Sequence, residues 1–177
     1  MTFAHDTEVA LVAAAALVNS ASDGDSLTTL AELDRFLDGY GWTGSRTRDR
    51  AELVAVRALR PRLRQVWELE EPGVVQLVNQ VLAQAGALPQ LVDHDGFGWH
   101  IHAVAPEAPL ATRMAVEAAM AFVDVVRSGE LDRLKTCAAD DCDDVVVDLS
   151  RNRSRRFCES GCGNRENVRA YRERRKG

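Results

Sequence analysis

Apolar residues recur with a helical period along most of the chain. From 7 to 21 they are nearly continuous, which predicts a helix buried on most sides. Asn19, Ser20, Ser22, Asp23 and Gly24 then make a polar loop. A second helix is predicted over 27–39, where Leu30, Leu33, Phe36 and Leu37 share one face and Gly39 and Gly41 end it. A third is predicted over 46–69, with Leu53, Val56, Leu59, Leu63 and Val66 at three- and four-residue steps. Pro61 falls inside that pattern and is expected to kink or split the helix. Arg46, Arg48, Arg50, Arg57, Arg60, Arg62 and Arg64 take its other faces, expected to meet solvent and neighbouring carboxylates. A fourth helix over 73–86 turns Val74, Leu77, Val78, Val81 and Leu82 inward.

The period then changes. Residues 88–93 and 97–104 read as two short strands around Asp93-His94-Asp95-Gly96, which is turn chemistry. Residues 109–127 return to helix and Ser128-Gly129 closes it. The expected fold is mainly α: a multihelical domain with a small β-hairpin over 1–130, then a zinc ribbon-like module with a terminal basic helix over 131–177. The chain has 177 residues, 46% of them hydrophobic, enough for a sizeable core without disulfides.

All four cysteines lie between 137 and 162, a cluster better explained by metal than by disulfides. Four residues separate Cys137 from Cys142, three separate Cys158 from Cys162, and fifteen lie between the pairs. Two short loops joined by a longer excursion match a tetrahedral four-thiolate site, and Val145-Val146-Val147 in the excursion should form a strand. Four thiolates leave no position open for water, so the expected role is structural, with one Zn²⁺ per chain. Ligand type alone also suits a single iron. Asp140, Asp141, Asp143 and Asp144 crowd the first loop and are expected in solvent.

Charge divides along the same line. The net charge is −5, yet residues 150–177 carry about +7, leaving about −12 for the rest. Asn164 is placed to cap a final helix in which Arg165, Arg169, Arg172 and Lys176 share a face, with Val168 and Tyr171 beside them to pack on the zinc core. Arg151, Arg153, Arg155 and Arg156 add charge before Cys158. A zinc knob bearing such cations suits contacts to nucleic-acid phosphates.

Residues 137–175 resemble the CGNR zinc finger, named for the tetrapeptide at 162–165. The likeness rests on DLSRNRSRRFC, ending at the third cysteine, and NVRAYRERR after the fourth. Upstream, ALVNS at 16–20, LAELDRFLDGYG at 30–41 and LVAVRALRPRLRQV at 53–66 resemble the ABATE domain that usually accompanies this finger. Where family members usually have four residues between the third and fourth cysteines, only Glu159, Ser160 and Gly161 stand here. The resemblance implies a stress-induced transcription regulator whose finger binds DNA, and Arg151, Arg153, Arg155, Arg156, Arg165, Arg169 and Arg172 are the expected contacts.

Two other readings stay open. The module could bind RNA, since phosphates look alike to arginine. Alternatively its zinc is purely structural, its arginines pair with the acidic N-terminal domain, and the protein binds a small molecule or a protein partner. A homodimer is expected of a regulator. His94, His100 and His102 cluster on the predicted hairpin, where solvent exposure is the plain expectation and a second metal site or a pH-sensitive patch the alternative. Trp42, Trp67 and Trp99 are expected in the core or lining a pocket. No Gly-rich phosphate loop, nucleophile elbow or paired-carboxylate motif argues for an enzyme. The apolar stretch 9–18 is too short to span a membrane and follows Asp6 and Glu8, so a cytoplasmic protein is expected.

Overall fold

The computed structural model describes residues 3–22, 24–93 and 98–175. The chain runs α1 (His5–Asn19), α2 (Leu30–Gly39), α3 (Arg50–Arg64), α4 (Glu71–Ala85), β1 (Gln90–Asp93), β2 (Trp99–His102), α5 (Leu110–Arg127), β3 (Leu134–Thr136), β4 (Val145–Val147) and α6 (Cys162–Arg174). It is mainly α with two small antiparallel hairpins and a cysteine cluster leading into the last helix. No helix among the described residues is long and apolar enough to cross a membrane.

α1 and α5 form the centre. α1 buries Leu11, Ala13, Ala14, Ala15, Leu17 and Val18, which are not confined to one stripe, as its continuous apolar run predicts. Its alanines let neighbouring helices approach. α5 packs against α1, α3 and α4 through Met114, Val116, Phe122 and Val125. Trp67 meets Phe122 edge to face at 5.5 Å and donates its indole N–H to the Val146 carbonyl at 3.2 Å.

Two helices start later than their periodicity suggests, because caps decide the first turn. Thr29 and Glu32 form a reciprocal capping box, so α2 opens at Leu30 rather than 27. The Asp49 side chain accepts from Glu52 N, so α3 opens at Arg50 rather than 46. Pro61 does not split α3, which runs through to Arg64 and continues as a 3-10 turn over Gln65–Trp67. The arginine face is less solvated than expected. Arg60 is buried, and it and Arg57 both pair with Asp25 at 2.9 and 2.7 Å. Arg46 bridges Asp34 and Glu52.

In the β1–β2 hairpin, Val92 pairs with His100 and Gln90 with His102. The expected turn at 94–96, including His94, lies outside the described residues. Alternation along β2 sends His100 and His102 inward and leaves Trp99 outside, 75% exposed. Trp99 is therefore neither core nor pocket lining, whereas Trp42 lines the pocket and Trp67 joins the core.

β3 and β4 form the second hairpin, with Leu134 opposite Val147 and Thr136 opposite Val145. All three valines of β4 are buried, on two sides. Val145 and Val147 belong to the helical core, whereas Val146 packs with Cys137, Ala139, Cys158 and Cys162. One strand thus joins the two regions expected at 1–130 and 131–177.

Candidate metal centre

The β3–β4 turn carries the first cysteine pair. Cys137 N donates to the Asp144 carbonyl at 2.8 Å and Cys142 N to Ala139 O at 3.1 Å, which closes the loop. The second pair follows a long loop. Ala138 N reaches across to Arg156 O at 2.8 Å, and Cys158 N donates to Cys137 Sγ at 3.4 Å. All four sulfurs lie within 4.8 Å of one another. Cys142 and Cys158 are 3.7 Å apart and Cys158 and Cys162 3.4 Å, with every cysteine free of disulfides. A tetrahedron of sulfurs about 2.3 Å from zinc has edges of about 3.8 Å, so the donor set fits Zn²⁺. Burial, then the crowding sulfurs, pushes the Cys142 thiol up and Cys162 to about 11. Four thiols held this close together are relieved by a cation that takes them as thiolates.

The three-residue gap closes through Gly161, which sits at φ 83° and caps α6. α6 therefore begins at Cys162, and Asn164 lies within its first turn instead of capping it. Asn164 N and Arg165 N both bond the Gly161 carbonyl at 3.1 Å. A buried carboxylate orders the preceding loop. Asp148, fully buried, accepts from Lys135 Nζ at 2.6 Å, Arg155 N at 2.9 Å and Ser150 N at 3.0 Å. These partners outweigh its desolvation and hold its carboxyl down at about 2. Arg133 ties the same loop through the carbonyls of Asp148 and Ser150. Of the four aspartates expected in solvent, Asp144 is buried and accepts from Ser160 Oγ at 2.8 Å, because the loop folds back over it.

The arginines divide. Arg165, Arg169 and Arg172 line one shallow hollow along α6 with Ser160 and Asn164. Arg165 also reaches Cys162 Sγ at 3.1 Å and Asp141 at 3.2 Å. Arg169 pairs with Glu166 at 2.6 Å and reaches Asp140 at 3.5 Å. Arg153 turns toward Asp132 and Glu130, at 2.6 and 2.9 Å, and Arg155 pairs with Glu159 at 2.9 Å. Among the described residues Arg151, Arg156 and Arg172 show no ion pair, although Arg156 stands 5.7 Å from the Phe157 ring centroid. The carboxylates that meet these arginines come from residues 130–166 rather than from the N-terminal helical region. Lys176 lies outside the described residues. Val168 and Tyr171 do not pack on the zinc core; both are exposed, and Cys162 is the one residue of α6 that is fully buried. α6 is fully buried only at Cys162, and its arginine stripe runs outward from Arg165, beside that cysteine, toward Arg172.

A second site lies at the other end of the helical region. A cavity of about 840 Å³ opens between α1, α5 and the β1–β2 hairpin, with Val9, Ala13, Trp42 and Val92 on its apolar walls. Its polar wall holds His100, His102, Arg113 and Glu117. Arg113 is buried and donates to the carbonyls of Ala108 and Ser45 at 3.1 and 2.6 Å. Burial pushes the Glu117 carboxyl up to about 7, against the pull of Arg113 and His100. The expectation of solvated hairpin histidines is corrected here for His100 and His102: His100 is 9% exposed and both rings face the cavity, because alternation along β2 turns that face inward. The sequence signal was the His-x-His spacing. Glu117 and Arg113 carried none, since both sit within an ordinary amphipathic helix.

Fold and site together define a zinc-finger protein in which a helical region carries a four-cysteine module and a basic terminal helix. A family model named ABATE, described as "Putative stress-induced transcription regulator", matches residues 11–129. The chain belongs to that family. The CGNR zinc finger model matches residues 133–175, which contain all four cysteines. A comparison with curated proteins gave no match.

Proposed function

We propose that the protein is a DNA-binding transcription regulator, in which α6 and the loop before Cys158 contact phosphates and the helical region senses a signal. The observation that carries this reading is the placement of Arg165, Arg169 and Arg172 on one face of a helix fully buried only at its root. Zinc holds that root in place, so the cations are presented at low conformational cost. Asp141 beside Arg165 and Asp140 beside Arg169 are exposed, and such pairs contribute little, so phosphate can replace them. Arg151 and Arg156 extend the basic surface, and Arg153 and Arg155 join it once their carboxylate partners yield. The zinc-bound cysteines act structurally, with no coordination position for substrate. The cavity beside His100 and His102 is the sensing site in this reading, and the cytoplasm is its compartment.

The test is a salt titration of the full-length, zinc-loaded protein with duplex DNA of random sequence. A log–log slope of about −0.9 per phosphate contact supports the reading. Equal or tighter binding to duplex RNA in competition transfers the role to RNA. Absence of binding at low salt removes nucleic acid altogether and leaves the cavity as the functional site.

A further inference from the structure

We propose that the cavity binds a small amphipathic monocarboxylate, an organic acid whose carboxylate sits on Arg113 and whose apolar body lies against α1. The proposal rests on the sensing role given to the cavity above and names what is sensed; no contact to DNA enters it.

Arg113 carries the argument. It lines the cavity and is only 6% exposed, yet its hydrogen-bond partners among the described residues are all backbone carbonyls. Nε donates to Ala108 O at 3.1 Å, Nη2 to Ser45 O at 2.6 Å and Nη1 to Thr43 O. Three of the five guanidinium N–H bonds are used in this way, which leaves one on each terminal nitrogen without a protein acceptor among the described residues. Gly44 closes the same side: a methyl there would stand 2.7 Å from Nη1. The guanidinium is thus fixed and desolvated, with no carboxylate in ion-pair contact, and burial works against its charge. A buried cation in this position is compensated by an anion, and its two remaining N–H bonds match the two oxygens of a carboxylate.

The other walls decide the class of acid. Val9, Ala10, Ala13, Trp42 and Val92 offer apolar surface in a volume of about 840 Å³, which suits a body of several carbons rather than a bare ion. Asp6 and Glu117 line the same space and disfavour a second negative charge on the ligand, while Arg113 disfavours a cationic head. His100 and His102 belong to the wall: their Nε2 atoms bond one another at 3.0 Å, His100 Nδ1 meets Gly98 O at 2.7 Å, and His102 Nδ1 stands 3.7 Å from Glu117 Oε1. Glu117 accommodates the acid. Burial pushes its carboxyl up to about 7, opposed by Arg113 and His100 and reinforced by Asp6. An anion on Arg113, one turn away on α5, raises it further, so binding at pH 8 draws a proton onto Glu117.

The experiment titrates three probes that share one tail, octanoate, 1-octanol and octylamine, into full-length, zinc-loaded protein without DNA, by calorimetry at pH 8. Octanoate should bind about 10-fold more tightly than 1-octanol, with octylamine weakest. Its heat should vary with the ionisation enthalpy of the buffer, which reports proton uptake, and Glu117→Gln should remove that dependence. Arg113→Gln should bring octanoate down to the affinity of 1-octanol. Ala10→Phe, which fills the apolar side of the cavity, should weaken both. Should Arg113→Gln misfold, as judged by circular dichroism, the order of the three probes in the unsubstituted protein and the effect of Ala10→Phe decide. The proposal is overturned by 1-octanol or octylamine binding as tightly as octanoate, or by no octanoate binding below its micelle concentration. Unchanged octanoate preference in folded Arg113→Gln, or unchanged binding in folded Ala10→Phe, overturns it equally. Loss of DNA binding in the salt titration leaves these readouts in place, and their failure leaves the salt slope in place, so the two readings fail separately.

Discussion

Asn19 and Val145 exchange two hydrogen bonds: the side-chain amide donates to Val145 O at 2.9 Å and its oxygen accepts from Val145 N at 2.8 Å. Asn19 is the last residue of α1 and Val145 the first of β4. One side chain therefore completes the edge of the zinc-module hairpin and binds it to the central helix. Asn19→Ala leaves a buried N–H and C=O without partners and should cost about 2 to 4 kcal/mol, read by denaturant unfolding. Asn19→Asp keeps the acceptor but, when ionised, turns an anionic oxygen on Val145 O, so its cost should be smallest at acid pH, where the protonated carboxyl can donate.

Zinc removal should destabilise the whole chain. Val145 and Val147 lie in the helical core while Val146 packs on the cysteines, so the finger cannot melt without opening that core. Chelation should lower the melting temperature of a single transition. A separate low-temperature transition, with the helices unaffected, would show that the two regions fold independently.

Replacing Arg172 by Ala should weaken binding to all DNA sequences alike and reduce the salt slope by about 1. The same holds for Arg169→Ala. Arg62→Ala is the control, since Arg62 bonds Gln84 on the far helices. If the Arg172 and Arg169 variants match the control at low salt, the α6 face is not the contact surface.

Asp148 makes stability depend on acid. Its folded carboxyl titrates at about 2, below the unfolded value of 3.8, so its contribution is fully present above about pH 4 and is lost as pH falls through 2. A shift of this size corresponds to about 2 kcal/mol. Asp148→Asn should be less stable than the unsubstituted protein by about that amount at pH 7. The gap should narrow between pH 4 and 2, measured as a difference because both proteins release zinc in acid.

Gly161 holds φ 83° between the third and fourth ligands. Gly161→Ala should cost about 1 to 2 kcal/mol from backbone strain alone, because nothing lies within 4 Å of the added methyl. Competition with a chromophoric chelator should show weaker zinc retention.

The sequence by itself determined the helical class, the four cysteines and the existence of a basic last helix. These rest on local signals: periodicity, short ligand loops, and charge at three- and four-residue steps. Cap identity shifted several boundaries, as at Thr29 and Asp49, because one side-chain bond outweighs the apolar period in the first turn. Only the tertiary structure decided which faces were covered. It placed β4 between two clusters, left Val168 and Tyr171 in solvent, and buried Asp144 beside Ser160 and Asp148 beside Lys135. It also brought His100, His102 and Glu117 to one cavity wall. Local pattern shows that a residue has an apolar or a charged side; what that side meets depends on the packing of segments far apart in the chain.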